Sequence, residues 1–253
     1  MSPPIFLINL DDSTDRLEKS QKRLAQQGIE FERVSGVKGA ELSEKEVLKH
    51  YDPNLNKAGY HYELSRGQIG CYFSHRKAWQ RILDSGADYG IVLEDDFYLP
   101  GDLNACIKAI DQLPFSWDLI KLAAYQDRQR EIAFSHSITP ELDIVIHQKP
   151  MSGGAAAAIT KSAAQRLLEA TDKFGRPVDS DIQHFWEKNI KVLSLMPYPV
   201  AQDMDFTSTI SVQSSKTKKY FWRRKWQQLK TSLKNKEETQ SQIEKFKQSL
   251  ANN

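Results

Sequence analysis

Residues 90–97 read Gly-Ile-Val-Leu-Glu-Asp-Asp-Phe, an apolar run that stops abruptly at three consecutive carboxylates. The apolar part is a buried strand. The acidic part resists burial, because adjacent like charges repel and an ionised carboxylate resists leaving water unless it is paired or metal-bound. Something must offset the cost of crowding Glu94, Asp95 and Asp96 at a strand's end, and a divalent cation does so. Side chains alternate along an extended segment, so Glu94 and Asp96 fall on one side and Asp95 on the other. Two oxygen donors at that spacing suit a hard ion, Mn²⁺ or Mg²⁺, that also holds substrate phosphates. A solvated acidic loop is the alternative.

The flanking pattern sets this strand in a sheet. Residues 4–10 read as a buried strand, 14–27 as a helix entered through Asp11 to Thr14 and closed by Gly28, and 29–34 as a second strand. Strand, helix, strand at this spacing favours a parallel sheet. A short helix follows near 43–50, a loop at 51–62, and a long helix at 67–84. After the acidic strand come a helix to about 112 and strands at 117–122, 143–147 and 155–160. Helices at 161–171 and 180–189 and a strand at 190–195 complete the body. The expected fold is α/β, a single Rossmann-type domain over 1–205 with a mostly parallel sheet, followed by a helical tail over 206–253. In such open sheets ligands sit at the carboxyl ends of strands, where Glu94 to Asp96 fall.

Charge separates body from tail. Residues 216–250 hold eleven Lys/Arg and three Glu, a net of +8, whereas the remainder holds 24 basic and 30 acidic residues, a net of −6. On a helix Trp222, Trp226, Leu229 and Leu233 share one stripe flanked by Arg223, Arg224, Lys225, Lys230 and Lys234. A basic amphipathic helix with tryptophans suits an anionic membrane surface; a terminal helix docked on the body is the alternative. The acidic body disfavours nucleic acid as a partner. Two cysteines, Cys71 and Cys106, suggest neither a disulfide framework nor a zinc site, which would need more Cys or paired His at ligand spacing. The N-terminus lacks a signal-peptide pattern, and no stretch approaches the roughly 18 apolar residues of a membrane span. The expected location is cytoplasmic, peripheral on the inner membrane.

Five stretches in order resemble glycosyltransferase family 25, the lipooligosaccharide galactosyltransferase-like family. They are Ile8-Asn9-Leu10-Asp11 with Arg16; Gly67 to Cys71 running into Ser74-His75 and Trp79; Ile91 to Phe97; Trp117 to Ile120; and Pro177-Val178-Asp179. The resemblance implies a GT-A-like fold and inverting transfer of a hexose, typically galactose, from a UDP-sugar to a lipooligosaccharide or other surface-glycan acceptor. Gln68 stands where the family usually carries a glutamate.

Transfer from a nucleotide sugar must stabilise charge on the leaving diphosphate and remove a proton from the attacking hydroxyl. Glu94 and Asp96 are the candidate metal ligands, and Asp95 a candidate contact to the ribose or donor sugar. Asp179 and Asp181 are candidates for the general base, against helix capping. Asn9, Asp11 and Arg16 end or follow the first strand, where this fold places its nucleotide; turn formation is the other role of Asn and Asp there. Ser74 and His75 are either ligand contacts or a buried hydrogen-bonded pair, and Gly153 and Gly154 either line a sugar pocket or form a plain loop. His184, on an amphipathic helix, is expected to be structural. From other classes, a metal-dependent phosphoester hydrolase would also use Glu94 to Asp96. A membrane scaffold without catalysis would explain Gln68 and the tail.

Overall fold

The computed structural model describes residues 2–124, 130–203 and 221–251, without the side chains of 221–224 and 226–228. The chain opens with β1 (Ile5–Asn9), α1 (Thr14–Ala25), β2 (Glu32–Ser35), a 3-10 turn (Gly39–Glu41), α2 (Glu44–His50), α3 (Pro53–Gly59) and α4 (Arg66–Ser85). Then follow β3 (Tyr89–Glu94), β4 (Phe97–Tyr98), α5 (Leu103–Asp111), β5 (Leu119–Lys121), β6 (Ile132–Ser137), β7 (Asp143–His147), β8 (Ala156–Thr160) and α6 (Lys161–Ala170). The last elements are α7 (Val178–Ile182), a 3-10 turn (Phe185–Lys188), β9 (Val192–Met196), β10 (Ala201–Gln202) and α8 (Phe221–Ala251).

Eight strands form one sheet in the order β2-β1-β3-β8-β5-β9-β7-β6, and β4 pairs with β10 in a small antiparallel ribbon. All strands of the large sheet run one way except β7 and β8. The class is therefore α/β with a mostly parallel sheet, as expected. Alternation along the strands makes two cores. Ile5, Leu7, Ile91, Leu93 and Ile120 face one side, where Cys106 and Ile110 of α5 and Ile243 and Phe246 of α8 cover them. Phe6, Ile8, Val92, Leu119 and Ile159 face the other, under Tyr72, Trp79 and Ile82 of α4 and Leu167 of α6.

The helix α4 starts at a capping box: Ser65 Oγ accepts from the Gln68 amide and the Gln68 side chain accepts from the Ser65 amide. It stops at Gly86, whose φ of 74° is left-handed. A cap contributes about 1 kcal/mol, whereas burying one residue such as Ile82 contributes about 1.5–3 kcal/mol. Packing therefore holds α4 against the sheet, and the box fixes where it begins.

Several expectations change. The loop expected at 51–62 contains α3, because Asp52 caps the amides of Asn54 and Leu55 and Pro53 sits in the first turn. Strand β6 was not anticipated: it is a sheet edge with mostly exposed side chains and no apolar run to betray it. The helix expected at 180–189 is two pieces, α7 and a 3-10 turn ending at Asn189 in the left-handed region (φ 50°). Of the tail, residues 221–251 form one long helix. Phe246 meets Phe115 edge-on at 4.6 Å, and Gln242 Nε2 donates to the Val192 carbonyl at 2.9 Å, so its second half is part of the body's core. The side chains of Trp222 and Trp226, like Lys216 to Tyr220 and the 205/206 boundary, lie outside what the structure describes, while Leu229 and Leu233 of the same stripe are exposed. Among the described residues no helix is long and apolar enough to cross a membrane.

Candidate active site

Strand β3 lies inside the sheet between β1 and β8, and its carboxyl end opens into a cleft of about 470 Å³. β1 contributes Asn9 to this cleft, α1 contributes Arg16, and α4 contributes Cys71, Ser74 and His75. The glycines at 39 and 70 let α4 and the loop after β2 touch: a Cβ on Gly70 would stand 2.4 Å from the Val37 carbonyl oxygen.

The three carboxylates diverge. Asp95 turns toward α1, accepting from Asn9 Nδ2 at 2.8 Å and Arg16 at 3.1 Å. Glu94 faces α4, with Oε1 2.8 Å from His75 Nε2. Burial alone would raise the Glu94 pKa, but the His75 hydrogen bond and the nearby Lys121 and Arg16 charges bring it below its ordinary value. Asp96 turns toward β10, where Gln202 Nε2 donates to Oδ2 at 2.9 Å. Its Oδ1 is buried with no hydrogen-bond partner among the described residues. Burial, then the charge of Glu94, pushes the Asp96 pKa up to about 6.

Behind these acids stands a wall that sequence reasoning reached only in part. Lys121 on β5 is buried and donates to the Gly153 carbonyl. Burial lowers its pKa to about 8, against the opposing pull of Asp179 and Glu94. Gly153 adopts a φ of 97°, and a Cβ on Gly154 would sit 2.4 Å from Glu94 Oε1. A side chain at 154 would push the Glu94 carboxylate aside. Both glycines and Gln202 line a small recess beside Glu94. Asp179, half-buried in the first turn of α7, accepts from the Ser180 amide at 2.7 Å and weakly from the Gly153 amide at 3.4 Å. The first residue flanking α7 is Pro177, which makes no side-chain cap.

Other candidates are engaged in the scaffold. Asp181 is buried and takes hydrogen bonds from Tyr72 Oη at 2.6 Å, Arg176 at 2.9 Å and Lys188 Nζ at 2.9 Å. Burial would raise its pKa, but the two cations and the hydroxyl lower it. That is the setting of a permanent anion, since removing one partner would strand a buried charge. Ser74 Oγ accepts from the Val37 amide at 2.7 Å and donates to the Gly70 carbonyl at 2.8 Å, bracing the loop rather than pointing free into the cleft. Asp11 turns out to Arg33 and Ser35 on the rim, while its neighbour Asp12 lines the cleft. Gln68 completes the α4 cap and donates to Tyr62 Oη at 3.0 Å, so its amide does the local work a glutamate would do. His184 Nδ1 lies 3.0 Å from the Ser180 carbonyl, and burial followed by the Arg176 charge lowers its pKa to about 4.

An acidic strand end, a glycine-lined wall and a helix packed across a deep cleft meet at the carboxyl end of β3. A family model for glycosyltransferase family 25 (LPS biosynthesis protein) matches residues 2–182, and the chain belongs to that family. Procollagen galactosyltransferase 1 of Danio rerio is 24% identical over 216 residues, which is 76% of this chain and 35% of that protein. Procollagen galactosyltransferase 2 of Homo sapiens is 28% identical over 200 residues, 73% of this chain and 30% of that protein. The chain thus spans about a third of the length of these relatives. Among solved structures, a Drosophila galactosyltransferase 7 mutant in complex with manganese, UDP-Gal and xylobiose aligns with a TM-score of 0.41 at 9% identity, over 85% of this chain and 80% of that one.

Proposed function

We propose that this protein is a metal-dependent, inverting galactosyltransferase that moves galactose from UDP-galactose to a lipooligosaccharide or related bacterial surface glycan. The observation that carries the reading is the unpartnered, buried Oδ1 of Asp96 beside Glu94, at the mouth of a cleft large enough for a nucleotide sugar. Family membership and the galactosyltransferase relatives support the reaction class.

The residues present fit a hard divalent ion: Glu94 and Asp96 supply carboxylate oxygens, and Asp96 Oδ1 lacks any other partner among the described residues. Bound there, Mn²⁺ or Mg²⁺ would neutralise charge on the departing diphosphate. Asn9, Arg16 and Asp95 form one hydrogen-bonded unit on the nucleotide side of the cleft. On the opposite wall Lys121 holds the Gly153 carbonyl, which keeps the backbone of Gly153 and Gly154 close to Glu94. The acceptor oxygen attacks the anomeric carbon as the bond from that carbon to the diphosphate oxygen breaks. Asp179 takes the hydroxyl proton. Asp181 is the poorer base, because three donors already occupy its oxygens.

The enzyme would work at the cytoplasmic face of the inner membrane, on a lipid-linked acceptor. The exposed Leu229 and Leu233, with exposed Lys225 and Lys230, support contact with an anionic bilayer through the first half of α8.

Asp179→Asn tests the catalytic assignment. UDP-galactose binding is expected to persist while transfer to a lipooligosaccharide acceptor falls by about 100-fold or more. Transfer at the wild-type rate would remove Asp179 as the base.

A further inference from the structure

We infer that Cys71, His75 and Glu94 form a zinc-selective inhibitory site that overlaps the proposed hard-cation site through Glu94. Cys71 Sγ, His75 Nε2 and a Glu94 carboxylate oxygen all lie within 4.8 Å of one another. Cys71 and His75 are four residues apart on α4, one above the other on the same helix face, the spacing by which a helix chelates zinc. The fold adds the third ligand from the end of β3, which no spacing in the sequence reveals.

The donor set decides which ion fits. Thiolate, imidazole and carboxylate together suit Zn²⁺, with a fourth position left for water, whereas Mn²⁺ and Mg²⁺ prefer oxygen. Zinc binding displaces the thiol proton of Cys71 to solvent and replaces the hydrogen bond between His75 and Glu94. Glu94 then points to zinc and is lost to the ion shared with Asp96. Zinc should therefore compete with the catalytic cation without resembling the substrate. The inhibitory half of this inference rests on the proposed function; the site itself does not.

The test uses the full chain stripped of metal and titrated with Co²⁺ as a spectroscopic substitute for Zn²⁺. The expected result is a thiolate-to-cobalt charge-transfer band that zinc displaces and magnesium does not. Cys71→Ser should abolish the band, and Cys71→Ser, Cys71→Ala and His75→Gln should each weaken zinc binding by at least about tenfold, the smaller loss seen even for outer-sphere partners of a metal. In a second measurement zinc should weaken manganese-supported UDP-galactose binding by wild-type protein, and Cys71→Ser should resist it. Absence of the band in the wild type, or its persistence in Cys71→Ser, overturns the site. Donor binding that zinc leaves unchanged, or no donor binding at all, overturns the competition while a Cys71-dependent band upholds the site.

Discussion

The carboxyl of Asp96 is held under opposing demands. It is buried beside Glu94 with one oxygen unpartnered, and its pKa is raised to about 6. A carboxyl that holds its proton more tightly when folded than when unfolded makes folding less favourable as pH rises from the unfolded value, near 3.8, through 6. Asp96→Asn in metal-free protein is therefore expected to raise the melting temperature at pH 7 to 8 and to leave it unchanged below pH 4. The same substitution should abolish metal-dependent donor binding. A lowered melting temperature at pH 7 would show that the ionised carboxylate stabilises the fold. Glu94, Asp95 and Asp96 were legible in the sequence because they are adjacent and end an apolar run. Lys121 and Gln202 were not: each is an ordinary residue on its own strand, and only the pairing of β5 with β8 and of β4 with β10 brings them to the site. The glutamine at 68 looked like a missing charge and is a helix cap.

At the scale of elements, α8 joins two different surfaces. Its second half is core, with Phe246 only 4% exposed against Phe115 and Phe134. Phe246→Ala should destabilise the protein by about 3–5 kcal/mol, read as a lower midpoint in urea; a midpoint unchanged from wild type would mean the helix is only laid on the surface. Its first half leaves Leu229 and Leu233 exposed at 56% and 66%. Replacing both with Ser should leave stability unchanged and reduce binding to anionic vesicles, and full vesicle binding by that variant would remove the membrane role. Truncating the whole tail cannot make this distinction, because it also removes Ile243 and Phe246 from the core. The basic amphipathic pattern was visible in sequence and left a docked helix and a membrane-bound one both open. Ile243 and Phe246 have helical spacing, but nothing local tells which surface they meet. The same reasoning explains the early elements. The apolar runs of β1 and β3 and the helical patterns of α1 and α4 were strong enough to read, whereas β6 is an exposed edge whose order comes from its neighbour β7.

Across the whole molecule, the sheet sets the acids at the mouth of one cleft, and the two helical layers hold its walls. Fold class followed from alternation of strands and helices, while the antiparallel strands β7 and β8 could not be read, since strand direction depends on crossovers rather than composition. The proposed transferase must bind a nucleotide sugar in this cleft through a divalent ion. Calorimetric titration of the full chain with UDP-galactose, in Mn²⁺ and then in excess chelator, tests it directly. Binding in manganese that chelator abolishes is the predicted result; binding of equal strength in chelator, or none in either condition, would contradict it.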